Sequence, residues 1–118
     1  MERHIKVARA HRALSWFYGV LVIGLVIVMF IPTGKPVPAA LWGFVGVLVL
    51  IGFAHHAIAR GARERTPGAR VGSILISILL LCAFPLGTLI GLYLLFNTAS
   101  PWEPMFPVRR DAKVEPQL

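Results

Sequence analysis

Apolar residues in this chain are gathered into three long runs, and polar residues fill the segments between them. The runs cover residues 13–31, 39–59 and 71–96, and none of them contains Lys, Arg, Asp or Glu. A helix needs roughly 20 apolar residues to cross about 30 Å of hydrocarbon. The pattern therefore predicts an all-α integral membrane protein in which each run is a helix long enough to enter or cross a bilayer.

Composition supports this class and excludes others. Of the 118 residues, 57% are hydrophobic and 14% are charged, which is more apolar surface than a soluble domain of this size can bury. The net charge is +7, but the sequence shows neither a basic face on a folded module nor a nucleic-acid-binding motif. Nucleic acid is therefore not an expected partner. We expect one transmembrane domain, residues 13–96, between a basic juxtamembrane segment, 1–12, and a Pro-rich tail, 97–118.

The first two runs predict an antiparallel helical hairpin. Only residues 32–38 separate them, and three prolines and a glycine leave no room there for another element. The first run is longer than the 7–15 residues typical of a cleaved signal peptide, so we expect it to be retained. In the second run, Gly43, Gly46 and Gly52 offer small surfaces against which another helix can pack.

The third run is broken in its middle at Phe84-Pro85. Proline removes a backbone donor and clashes with the preceding turn, and Gly87 weakens the helix further. Two arrangements follow. The run is one kinked crossing, which gives three spans, or it is two short helices, which give two spans and a re-entrant pair.

The distribution of Lys and Arg favours the re-entrant pair. Four of these residues lie in segment 1–12 and four in the loop 60–70, whereas Lys35 is alone between the first two runs. Because cytoplasmic segments are enriched in Lys and Arg, we expect a cytoplasmic N-terminus. A third full crossing would carry the cations of the tail, Arg109, Arg110 and Lys113, to the opposite side, although their distance from the membrane leaves the side of the tail open.

The residues around the break are the predicted helix-packing site. Backbone groups freed at Pro85 must be satisfied by protein, so we expect the break to face other helices. Gly87 and Gly91 form a GxxxG pattern that lets helices approach closely, within the chain or between chains. Thr88 can hydrogen-bond to its own helix or to another.

A histidine pair near the end of the second run is the other candidate site. His55 and His56 lie close to Arg60, which places them near the membrane interface. Adjacent residues point about 100° apart on a helix and cannot both ligate one metal from one face. We expect interfacial imidazoles that reach water, with a proton-transfer or pH-sensing role as the alternative. Neither a metal nor a cofactor is predicted.

Residues 60–96 resemble part of a broad group of small bacterial multi-spanning inner-membrane proteins of unknown function. In that group a basic loop precedes an apolar helix, a Phe-Pro-x-Gly-Thr turn and a Gly-x-Tyr segment, and Gly68 departs from it by replacing a common aromatic residue. The resemblance implies a bacterial inner membrane and a helical hairpin, and brings no known chemistry. The matching residues are Arg63, Arg65, Pro67, Ala69, Arg70, Phe84, Pro85, Gly87, Thr88, Gly91 and Tyr93.

The predicted function is helix packing without catalysis, as an accessory subunit of a membrane complex or as a homo-oligomer. The expected partners are anionic lipid headgroups and other membrane helices. The alternative is a small oligomeric transporter, channel or holin-like pore lined by residues 84–88. However, a cation pathway usually needs a carboxylate at depth, and every Asp and Glu of this chain lies in a tail or loop.

An intramembrane enzyme is not expected. Ser73, Ser77 and Cys82 could act as nucleophiles, but none has a base in the same segment. The sequence leaves one pairing open, that of Ser73 with His55 or His56 across the basic loop.

Overall fold

A computed structural model describes residues 2–32, 34–83 and 85–103, and its regular structure in these ranges is α-helical. Two helices are long and apolar enough to cross a membrane, and two are shorter, with 15 and 13 residues. In chain order the helices are α1 (Arg3–Met29), α2 (Ala39–Arg63), α3 (Pro67–Leu81) and α4 (Leu86–Thr98).

The first two helices form the predicted antiparallel hairpin and extend beyond the apolar runs. α1 begins at Arg3, so the basic segment continues the helix, and α2 ends at Arg63. Gly52 packs against α1, where a Cβ atom would lie 3.3 Å from that of Tyr18. Gly43 and Gly46 face open space, because a Cβ atom added at either position would meet nothing within 4 Å among the described residues.

The third apolar run forms two short helices and not one kinked helix. The last turn of α3 tightens before the break, because the Ala83 amide donates to the Leu80 carbonyl at 2.9 Å. Pro85 then stands at the N-cap of α4, while Phe84 lies outside the described residues. At about 1.5 Å per residue, neither helix is long enough to cross 30 Å of hydrocarbon.

Hydrogen bonds at both ends hold α3 and α4 together as an antiparallel pair. Beside the break, the Thr88 hydroxyl of α4 donates to the Leu81 carbonyl of α3 at 3.0 Å. At the other end, the Arg70 guanidinium donates to the carbonyls of Thr98 and Ala99 at 3.0 and 2.8 Å. These contacts satisfy carbonyls that a helix C-terminus leaves without a partner.

The two glycines of the GxxxG pattern lie at the contact between α3 and α4. A Cβ atom on Gly91 would be 2.7 Å from the Ser77 carbonyl oxygen, and one on Gly87 would be 2.7 Å from that of Leu80. Both neighbours are backbone atoms that cannot move without shifting α3. The pattern therefore serves packing within the chain.

A sharp turn reverses the chain between α2 and α3. Arg65 has a left-handed backbone, with φ of 56°, and its amide donates to the Ala62 carbonyl, while the Thr66 amide donates to that of Gly61. This is a Schellman motif with arginine at the position that usually holds glycine. The Thr66 hydroxyl also accepts from the Ala69 amide at 3.4 Å, and Pro67 follows as the first residue of α3.

The short helices cover only one end of the α1–α2 hairpin. All buried residues of α1 fall between His4 and His11, and α3 and α4 pack there. We call this the four-helix end, and the opposite part, residues 20–29 and 39–50, the two-helix end. Among the described cations, Lys35 lies at the two-helix end, and the other eight lie at or near the four-helix end.

The outer surface is strongly apolar. The large exposed side chains include Val20, Ile23, Ile27, Leu50, Phe53, Leu79, Leu86, Leu89 and Phe96, each with 61 to 76% of its area accessible. The interior between the helices, by contrast, contains several polar side chains.

Substitution of Gly91 tests the close approach of α3 and α4. We expect Gly91→Ala to lower the free energy of unfolding by about 1–3 kcal/mol, because the new methyl group overlaps backbone atoms of α3. Gly43→Ala is the matched control, since its Cβ meets open space and alanine favours helix. The measurement is an SDS titration in mixed micelles followed by circular dichroism. Equal stability of the two variants would contradict this packing.

Candidate functional site

Four polar side chains, one from each helix, meet in the interior of the four-helix end. His11 comes from α1, His55 from α2, Ser73 from α3 and Thr98 from α4, and each exposes 2% of its area or less. We call them the histidine–hydroxyl cluster. Buried polar groups are costly unless they are hydrogen-bonded, so the contacts among these residues decide what the cluster does.

The cluster is a continuous chain of hydrogen bonds. The Nδ1 atoms of His11 and His55 are 2.7 Å apart, and His11 Nε2 is 2.9 Å from Ser73 Oγ. Ser73 Oγ is in turn 3.2 Å from Thr98 Oγ1. Among the described residues, no buried side-chain nitrogen or oxygen lacks a partner.

The partners assign a direction to every hydrogen bond when both imidazoles are neutral. The Thr98 hydroxyl donates to the Leu94 carbonyl at 2.6 Å, so it accepts from Ser73. Ser73 has then used its hydrogen and accepts from Nε2–H of His11. His11 therefore accepts at Nδ1, from Nδ1–H of His55. All donors point the same way, from α2 through α1 and α3 to α4.

Two neighbouring residues support the cluster. The Tyr18 ring stacks on the His55 imidazole, with ring centroids 5.5 Å apart and an angle of 13°. Ser77, which is fully buried, donates to the Ser73 carbonyl at 2.6 Å within α3. The tyrosine contact packs against the face of the His55 ring, and the Ser77 bond satisfies that buried hydroxyl within α3.

Small residues bring α3 close enough to α2 for this contact. A Cβ atom on Gly61 would lie 2.8 Å from that of Ala69, and one on Gly72 would lie 3.2 Å from the Ile58 side chain. Ser73, the next residue of α3, is fully buried and lies 2.9 Å from His11 Nε2. The basic turn and the glycines beside it therefore position the serine hydroxyl.

This geometry favours a structural cluster over a catalytic or metal site. A nucleophilic serine must give its proton to a base, but here Ser73 donates to Thr98, and His11 itself donates to Ser73. Two nitrogens bound to one zinc ion would lie about 3.3 Å apart, and the 2.7 Å between the imidazoles is a hydrogen-bond distance. Within the described ranges, no group of three His, Cys, Asp or Glu side chains could hold a metal.

The structure separates the three residues of the predicted histidine site. The expectation that His55 reaches water at the interface is wrong, because it is buried against His11 and Tyr18. His56 is exposed on another side of α2, and Arg60 is an exposed side chain paired with Glu64 at 3.5 Å. His56 is also not the partner of Ser73.

His11 is the cluster residue that the sequence prediction missed. It lies outside the apolar run, within a segment interpreted from its charges alone. A signal was present, because His11 stands 21 residues before Pro32 and His55 stands 17 residues after Pro38. In an antiparallel hairpin these distances place the two histidines within about one helical turn of each other.

A second polar group ties together the surface of the four-helix end. The Arg65 guanidinium donates to Glu2 Oε2 at 2.7 Å, to His4 Nε2 at 3.3 Å and to the Glu103 carbonyl at 3.1 Å. Trp102 lies beside His4, with ring centroids 6.4 Å apart. Arg65 thus links the start of α1 to the chain that follows α4.

Comparison with protein-family models, with curated proteins and with solved structures finds no match to this chain.

Replacing His11 tests the structural role of the cluster. We expect His11→Ala to lower the free energy of unfolding by roughly 2–4 kcal/mol, because it leaves a cavity and removes the partner of two buried groups. His56→Ala is the control, because that exposed histidine should cost less than about 0.5 kcal/mol. Denaturation in mixed micelles measures both. A His11→Ala variant as stable as His56→Ala would exclude a stabilising role.

Proposed function

We propose that the chain is a non-catalytic integral membrane protein that acts by packing against other membrane helices. In this arrangement α1 and α2 cross the bilayer, and α3 and α4 enter it from the four-helix end and return. The resemblance of residues 60–96 to small bacterial membrane proteins leads us to propose the bacterial inner membrane as its location.

The distribution of polar and apolar groups supports a bilayer as the solvent. Side chains such as Leu50 and Phe53 expose 69% of their area along the sides of the helices. The buried polar groups, by contrast, are hydrogen-bonded within the described residues, as hydrocarbon requires. Eight of the nine described cations lie toward the four-helix end, which suits a cytoplasmic position for that end.

The open surface of the two-helix end is the observation that carries a packing function. A Cβ atom added at Gly43 or Gly46 of α2 would meet nothing within 4 Å, and the large side chain of Leu50 lies further along the same helix, 69% exposed. Without a hydrophobic driving force in lipid, helices associate through small residues that allow close contact. This face is therefore suited to a helix from another chain.

The geometry around the break favours packing over a pore. Thr88 follows Pro85 by three residues, and its hydroxyl donates to the Leu81 carbonyl. Gly87 and Gly91 are covered by backbone atoms of α3. The Thr88 hydroxyl and the glycine surfaces, which would line a path for ions, therefore make contacts within the α3–α4 pair.

Cysteine labelling tests the membrane arrangement. In a Cys82→Ser background, we expect a membrane-impermeant maleimide to label Glu64→Cys and Glu103→Cys from the cytoplasmic side and Lys35→Cys from the opposite side. The native Cys82 lies at the turn between α3 and α4. It should react from neither side until detergent is added, because short helices place it within the bilayer.

Two results would contradict this arrangement. Labelling of Glu103→Cys and Lys35→Cys from the same side would mean that the third apolar run crosses the membrane. Release of the intact chain from vesicles by alkaline carbonate would exclude integration altogether.

Association tests the packing function. We expect protein isolated in mild detergent to be a homo-oligomer or a stoichiometric complex, and Gly46→Leu to release monomers, because leucine obstructs close helix contact. Gly68→Leu at the start of α3 is the control, since its Cβ also meets open space but lies outside the two-helix end. Light scattering with mass spectrometry gives mass and partner. Partner-free monomers of the unaltered chain would refute the proposal.

A further inference from the structure

Two adjoining cavities lie between α1 and α2, one cationic and one apolar, and we call them together the groove. Two cavities of about 230 and 290 Å³ follow one another along the groove, and all the residues that line them belong to these two helices. His56 lines both cavities and so marks where they join. Neither the histidine–hydroxyl cluster nor the α3–α4 pair uses this surface.

The cationic part lies nearer the ends of the helices that carry most of the charges. Arg12 from α1 and Arg60 and Arg63 from α2 surround it, together with His56 and the buried Ala59. Arg60 is paired with Glu64 at 3.5 Å, through side chains that are 79% and 57% exposed. The cavity therefore has an excess of positive charge, and its donors can converge on an oxyanion.

The apolar part begins where the charges end. Gly19 and Val22 line it from α1, and Leu48, Val49 and Phe53 line it from α2. Gly19 leaves open space, because a Cβ atom there would meet nothing within 4 Å. The hydroxyl groups of Ser15 and Tyr18 also border this cavity, close to the junction with the cationic part.

We propose that this groove binds one anionic phospholipid, with its phosphate among Arg12, His56 and Arg63 and an acyl chain against Gly19 and Phe53. A free phosphate would use the cationic part alone and leave the apolar part without a ligand. An acidic protein segment would not match the apolar slot that continues toward the two-helix end. The proposal rests on the membrane location proposed above.

The alignment of the two parts matches a lipid in orientation as well as in chemistry. The cations lie toward the four-helix end, where lipid headgroups of the cytoplasmic leaflet would be. The apolar part lies about one to two helical turns deeper, as Gly19 follows Arg12 by seven residues, which is about 10 Å along α1. A phosphate and the start of its acyl chain span a comparable distance.

Lipid titration tests the site with three groove variants, two control variants and two lipids that differ in headgroup charge. Delipidated protein in mild detergent is titrated with dioleoylphosphatidylglycerol or dioleoylphosphatidylcholine, and binding is measured by native mass spectrometry. We expect preference for the anionic lipid, about fivefold weaker binding in Arg12→Gln and in Arg63→Gln, and at least fivefold weaker binding in Gly19→Leu. The matched controls, Arg3→Gln and Gly24→Leu, should change it less than twofold.

Three outcomes would contradict the proposed lipid site. An Arg3→Gln variant as weak as Arg12→Gln would mean attraction by overall charge and not by a groove. Inorganic phosphate or glycerol phosphate competing fully with the lipid, with no effect of Gly19→Leu, would assign the cavity to a free anion. Lack of preference for the anionic lipid would exclude recognition of its charge.

Carbonate extraction of the same variants separates this proposal from the previous one. If the unaltered chain and all variants stay in the membrane pellet while the groove variants bind lipid normally, the lipid site alone is refuted. If carbonate releases the unaltered chain, the proposed membrane location is refuted, and the lipid site that rests on it is refuted as well.

Discussion

The hydrogen-bond chain from His55 through His11 and Ser73 to Thr98 is the interaction on which the four-helix end depends. It joins all four helices with side chains that expose almost no surface. A buried polar network stabilises a fold only when each member is satisfied, and here every donor has an assigned acceptor. Apolar packing could hold the helices at many rotations, whereas this chain of contacts specifies one arrangement.

The break in the third apolar run imposes the second constraint. A half-length helix ends with carbonyl groups that have no partner in the helix, and in a bilayer water cannot replace them. The α3–α4 pair satisfies such groups itself, through Thr88 at the break and Arg70 at the open end. Glycine contacts bring the two helices close enough for these bonds, so the break and the glycines act together.

These two constraints make the four-helix end and the two-helix end different in the groups that they expose. At the four-helix end, polar groups are used internally, and cations surround the ends of the helices. At the two-helix end, glycines and large apolar side chains face outward. The open apolar surface of the two-helix end is the basis of the packing function that we propose.

The sequence by itself determined the helical class, the α1–α2 hairpin and the break near Pro85, because length, hydropathy and proline act locally along the chain. It also indicated the close contact at Gly87 and Gly91, although not the partner surface. Only the tertiary structure decided that His55 is buried and that His11, not His56, is the partner of Ser73. That pairing depends on helix rotation and on the register between segments 44 and 62 residues apart, which no local pattern specifies.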